Sequence, residues 1–156
     1  RRDGDAVRGR GFLMAITTVF YAQGIARLNA TGWDARADDE LLLIEYGTGW
    51  TFDEDHVSLT SLTLGTTELT AANYTRKPLV SGTPAWSAGR WSLPTSSVVW
   101  TSLGTAEGIH AVIGYQAGVN DASSVPLFAV YDPAPAAIAT LDGSDLTVTL
   151  DLGASG

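Results

Sequence analysis

Hydrophobic residues fall along this chain with two different periods. Between Thr17 and Ala30, in TTVFYAQGIARLNA, Phe20, Tyr21, Gly24, Ile25 and Leu28 recur near helical spacing. Thr17 or Thr18 would cap such a helix, and Asn29-Ala30-Thr31-Gly32 would stop it, with Gly32 suited to a left-handed exit. Gly24 in the middle weakens it. The spacing predicts one short amphipathic helix.

After Gly32 the period shortens to that of strands. ELLLIEY, from Glu40 to Tyr46, is a continuous apolar run of strand length between Asp38-Asp39 and the glycines Gly47 and Gly49. HVSLTSLTL alternates Val57, Leu59, Leu62 and Leu64 against serines and threonines, and the slip at Ser61 predicts a bulge. GRWSLPTSSVVWTSL reads as two short strands broken at Pro94, which cannot donate to a ladder. IHAVIGYQ, SVPLFAVYD and DLTVTLDL complete the set, with turns at Gly82, Gly89, Gly104, Gly118 to Asp121, DPAP and DGSD. Strands this short and regularly spaced predict a mainly β fold, an antiparallel β-sandwich or barrel-like domain with one short N-terminal helix.

A length of 156 residues fits one domain and buries a core without staples. The mean hydropathy of +0.10 is that of a globular chain. With no cysteine, disulfides, thiolate nucleophiles and cysteine-ligated metals are excluded. The net charge of −8 is uneven: residues 1–10, with four Arg against two Asp, carry +2, and the remainder carries −10. An acidic body of that size is repelled by nucleic acid. The organisation expected is a basic arm over residues 1–13 and a single β-rich domain over 14–156, with Met14, the one methionine, as the natural start. The basic and then apolar RGRGFLMAITTVFYAQGIA resembles the first two regions of a secretory signal peptide. Thr17, Thr18, Tyr21 and Gln23 interrupt it, and no small-x-small site follows. No segment reaches the ~18–20 apolar residues of a membrane span.

Few residues carry a chemical signature. In Asp53-Glu54-Asp55-His56 an extended chain lets at most two side chains converge, and the spacing does not fit an EF-hand, so a solvated loop is expected and no metal. On a regular strand His110 shares a face with Val112 and Gly114, opposite Ile109, Ala111, Ile113 and Tyr115. No G-x-S-x-G elbow accompanies it, so a structural or interface histidine is expected, with no catalytic residues. Gly47-Thr48-Gly49 and Arg8 to Gly11 lack the lysine of a phosphate loop and the full dinucleotide fingerprint, and no cofactor is expected. The sequons at Asn29 and Asn73 matter only in a eukaryotic secretory protein. Trp33, Trp50, Trp86, Trp91 and Trp100 are expected in the core or on sheet faces, some as interface anchors. The candidate interface comprises Arg1, Arg2, Arg8, Arg10, Trp50, Trp86 and Trp91.

Five segments in order resemble a family of small tailed-bacteriophage virion proteins. GWDARADDELLLIEY is similar to its early W-D, acidic, apolar-strand segment, and TFDEDHVSLTSL to the aromatic, acidic and histidine segment that follows. ELTAANYTRKPLVSG resembles its E-x5-Y-T-x3-L-x-G stretch, SSVVWTSLGTAEGIHAVIGYQ its two strands around a small-residue linker, and SVPLFAVYDPA its s-P-L-I-a-y-i-D strand. The match runs from Trp33 to Asp132; Ile109 and His110 stand where the family often has a basic residue and an aromatic. The resemblance implies a β-rich virion component without enzymatic activity. The function expected is a capsid decoration protein on the head exterior, bridging major capsid subunits as a homo-oligomer, a trimer by preference, with no contact to nucleic acid or membrane. The alternatives are a tail-associated or head-fibre subunit and, from another class, a carbohydrate-binding module using Trp50 or Trp91 as a platform.

Overall fold

The computed structural model describes residues 16–31, 39–79, 85–87, 90–92, 96–134 and 136–150. Among the described residues strand outweighs helix, 42% to 12%, and every pairing is antiparallel, as the alternation predicts. The arm over residues 1–13, the stop at Gly32, Trp33 and the break at Pro94 lie outside the described residues, as do the side chains of Trp86 and Trp91.

The main sheet has the order β1 (Thr17–Phe20), β8 (Val125–Tyr131), β7 (Ala106–Gln116), β2 (Asp39–Glu45) and β3 (Lys77–Pro78). A further strand, β9 (Ala139–Leu141), pairs with the first half of β7 through Ala106 and Ile109. Two smaller sheets stand apart: β6 (Ser96–Trp100) with β10 (Leu146–Leu150), and the hairpin of β4 (Ala85–Ser87) and β5 (Arg90–Ser92), in which Trp86 and Trp91 are register partners.

Strand β2 is apolar without alternation because both faces of the sheet are covered. Leu41 and Leu43 join Val112 and Phe128 in a first core closed by Val98, Trp100 and Leu150 of the β6–β10 pair. Leu42 and Ile44 join Ala111, Ile113 and Ala129 in a second core, closed by Tyr21, Trp50, Leu59 and Leu62. Trp100 is fully buried, and its indole N–H donates to the Thr75 carbonyl at 2.7 Å.

Two elements differ from the sequence reading. Thr17–Phe20 is a strand paired with β8, and helix α1 (Ala22–Thr31) starts only after Tyr21. The β-branched run Thr17-Thr18-Val19 favours extended backbone, and the edge of β8 supplies the ladder. The predicted helix is therefore shorter, and neither threonine caps it. Gly24 has a packing reason: a Cβ there would lie 2.2 Å from the Leu127 carbonyl oxygen, so only glycine lets α1 rest on β8.

HVSLTSLTL is not a strand. Leu59–Leu62 forms a 3₁₀ turn and Leu64–Thr67 a single helical turn, α2, joined at Thr63 in the left-handed region (φ 53°). Leu59 and Leu62 stand three apart and both enter the second core, a spacing that also fits the slip at Ser61. The hydroxyls supply backbone partners that a neighbouring strand would otherwise give: Ser61 Oγ donates to the Ser58 carbonyl and Thr67 Oγ1 to the Leu62 carbonyl.

One edge is fastened by Arg76. Its Nε and Nη2 donate to the two carboxylate oxygens of Glu68 at 2.8 and 2.7 Å, and its guanidinium lies 5.6 Å from the centre of the Tyr115 ring. Tyr74 Oη donates to Glu68 Oε1 at 2.9 Å while accepting the Leu43 N–H at 3.0 Å, which ties the cluster to β2. Tyr115 Oη donates to Glu40. Burial raises the Tyr74 and Tyr115 hydroxyls far above the usual phenol range, so both stay protonated donors.

Candidate functional site

The second core opens at one end into a strip of seven ring side chains drawn from four stretches of the chain. Ring centroids run from His56 to Tyr21 (6.2 Å), Tyr21 to Phe52 (4.9 Å), and Phe52 to Tyr131 (5.9 Å, stacked). They continue from Tyr131 to Trp50 (5.6 Å), Trp50 to His110 (5.4 Å) and His110 to Tyr46 (6.1 Å), all edge-to-face. Edge-to-face contact sets positive ring edges on negative faces, which favours such pairs beyond simple burial.

Local backbone geometry assembles this strip. After β2 the chain reverses through Gly47 (φ 84°) and Gly49 (φ 76°), with Thr48 Oγ1 donating to the Glu45 carbonyl at 2.8 Å. The Gly-Thr-Gly pattern serves that reversal, which returns Trp50 onto the sheet face that Ile44 supplies. On β7 a bulge does the complementary work. Ile44 pairs with Ala111 but Glu45 pairs with Ile109, so His110 is the extra residue.

A bulge of this kind places two successive side chains on one side of the sheet. His110 therefore does not share a face with Val112 and Gly114, as strict alternation requires. It meets Trp50 on the side of Ala111 and Ile113, while Ile109 packs in the first core with Val112. Gly108, at φ 139°, lies beside the bulge in a backbone conformation that glycine tolerates.

Two shallow hollows flank Trp50. One, of about 250 Å³, is lined by Trp50, Thr51, Phe52, His110, Tyr131, Asp132 and Pro133. The other, of about 360 Å³, is lined by Tyr46, Gly47, Gly49, Trp50, Thr51 and His110. Among the described residues, the buried side-chain nitrogen and oxygen atoms without a hydrogen-bond partner are Tyr21 Oη, Trp50 Nε1, His56 Nδ1 and His110 Nδ1. All four belong to the aromatic strip. Such atoms are costly inside a fold and mark places where water or a ligand completes the bonding. Burial lowers the His110 pKa, favouring the neutral imidazole, and pushes the Tyr21 hydroxyl far up.

The expected residues fall in different places. Trp50, expected as an interface anchor, is only 5% exposed and is spent on the second core, so it offers no open platform. Trp86 and Trp91 sit on one hairpin by backbone register. Arg1, Arg2, Arg8 and Arg10 lie outside the described residues. Asp53 to His56 forms a loop: Asp53 Oδ1 accepts the Asp55 N–H at 3.0 Å, and His56 Nε2 stands 4.0 Å from Asp53 Oδ2. Among the described residues no group of three or more His, Asp or Glu is placed to hold a metal ion. No helix of the described residues is long and apolar enough to cross a membrane.

Sequence reasoning passed over Tyr46, Phe52, Tyr131 and Asp132. The available signal was the clustering of aromatics at strand ends around Gly47 and Gly49. In comparison with known proteins the chain matches no family model, no curated protein and no solved structure.

Proposed function

We propose that this protein is a structural component of a tailed-bacteriophage virion, a decoration protein that binds the outside of the head and bridges major capsid subunits as a homotrimer. The observation that carries the reading is the ordered resemblance of five segments from Trp33 to Asp132. Those segments include β2, β6, β7 and β8, which build the two cores, so the likeness takes in the framework as well as the loop from Asp53 to His56. The −10 charge beyond residue 10 supports a partner made of protein and not of DNA. A domain that binds only the assembled shell stabilises it by mass action, and several modest contacts around a local threefold suffice.

The test is a purified particle with and without this protein. Cementing requires that particles lacking it lose their contents at lower temperature and on dilution, and that density maps place it on the outer head surface. Unchanged particle stability rejects cementing, and density on the tail assigns it to the tail.

A further inference from the structure

The hollow beside Trp50 has aromatic walls and a single charged lining group, the carboxylate of Asp132. Asp132 is only 4% exposed. Its Oδ1 accepts the Ala134 N–H at 2.9 Å, and its second oxygen receives no hydrogen bond from the described residues. A volume of about 250 Å³ falls below the ~300–1,000 Å³ of small-molecule sites and suits one side chain.

Aromatic faces attract cations, and a carboxylate with an oxygen that no described residue bonds does so more strongly. Phe52, His110 and Tyr131 are each half-buried around the hollow and offer ring surface to an incoming group. A second carboxylate, that of Glu107, lies close to Gly47 without lining the neighbouring hollow: a Cβ on Gly47 would lie 2.7 Å from its Oε2. Among cationic side chains the guanidinium fits best, because it is flat, weakly hydrated, stacks on rings and donates to carboxylates.

We infer that this hollow is a docking site for one arginine side chain of a partner protein, its guanidinium lying on the aromatic walls and hydrogen-bonded to the open oxygen of Asp132. Charge complementarity selects the occupant: the body of the chain is strongly acidic, and Arg76, the one arginine whose side chain is described, is already held by Glu68 and Asp121. The inference goes beyond the virion assignment and stands whatever particle or complex the partner belongs to.

The test is an NMR titration of the full chain with arginine amide, following the Trp50 indole N–H, which is assigned by its loss in Trp50→Phe. Arginine amide should shift that resonance saturably, with an affinity on the order of millimolar. Citrulline amide, the neutral isostere, should leave it in place. Asp132→Asn keeps an acceptor for Ala134 but removes the charge, and should weaken binding about tenfold. An equal response to citrulline amide, no response, or undiminished binding in Asp132→Asn overturns the inference. If arginine amide binds only after residues 1–13 are deleted, the occupant is the chain's own basic arm, and the partner assignment fails.

Discussion

Arg76 and Asp121 meet in a two-pronged pair, Nη1 to Oδ1 at 2.6 Å and Nη2 to Oδ2 at 2.9 Å, across 45 residues of sequence. The same guanidinium holds Glu68, so one side chain joins the segment after α2 to the loop between β7 and β8. Arg76→Met should destabilise the fold by about 2 kcal/mol, chiefly because Glu68, largely buried, keeps only the Tyr74 hydroxyl and loses its cationic partner. Asp121 is more open, and a double-mutant cycle between Arg76 and Asp121 should return only about 0.5–1 kcal/mol of coupling. Urea unfolding of the four proteins measures both.

Gly24→Ala separates two opposing effects. Helix propensity alone predicts a gain of about 1 kcal/mol. The added methyl, however, would sit 2.2 Å from a backbone carbonyl of β8, and backbone gives way poorly. The net outcome expected in thermal unfolding is a loss of about 2 kcal/mol, with α1 displaced from β8. A stabilised variant would mean that the helix does not rest on that strand.

His110 gives the fold a pH dependence of definite sign. Burial lowers its pKa in the folded protein from the ordinary value of 6.5, so below that value the unfolded chain binds more protons than the folded one. Stability is full above the unfolded value and declines as pH falls from there to the lowered, folded one. Replacing the ring by His110→Phe should remove this component. The drop in melting temperature between about pH 7.5 and pH 5.5 should be smaller in the variant than in the parent. An unchanged drop would place the imidazole in water.

Trp100 is a framework residue and should behave as one. Trp100→Phe removes the indole donor from the Thr75 carbonyl and leaves a void in the first core, at a cost of about 2 kcal/mol in denaturant unfolding. Its effect should be on stability, with the arginine amide titration at Trp50 unchanged, because Trp50 belongs to the other core.

The framework was legible wherever burial on two sides imposed an unbroken apolar run, as in Leu41 to Ile44, or on one side an alternation, as in Leu146 to Leu150. It was misread where hydroxyl side chains compete for the backbone. Around Ser58 to Thr67 they turned an apparent strand into tight helical turns. The start of the predicted helix was misread because pairing with β8, far along the chain, decides what Thr17 to Phe20 does. The face of His110 was hidden by a one-residue slip against Ile44 that no local pattern announces. The aromatic strip was the least legible feature, since its rings come from Tyr21, Tyr46, Trp50, Phe52, His56, His110 and Tyr131, and only the assembled sheet brings them together.

The strand order also governs when the molecule can exist. β1 is among the earliest parts of the described chain to leave the ribosome, yet its partner is β8, with Thr17 opposite Tyr131. The sheet between them needs β7 and β2, themselves far apart in sequence. Loop closures of that length come before any contact rewards them, so folding is slow and follows synthesis. During that wait Thr17 to Phe20 and Leu41 to Ile44 emerge as unpaired, apolar β segments, open to any neighbouring strand. The protein should therefore give its highest soluble yield when made slowly and at low temperature.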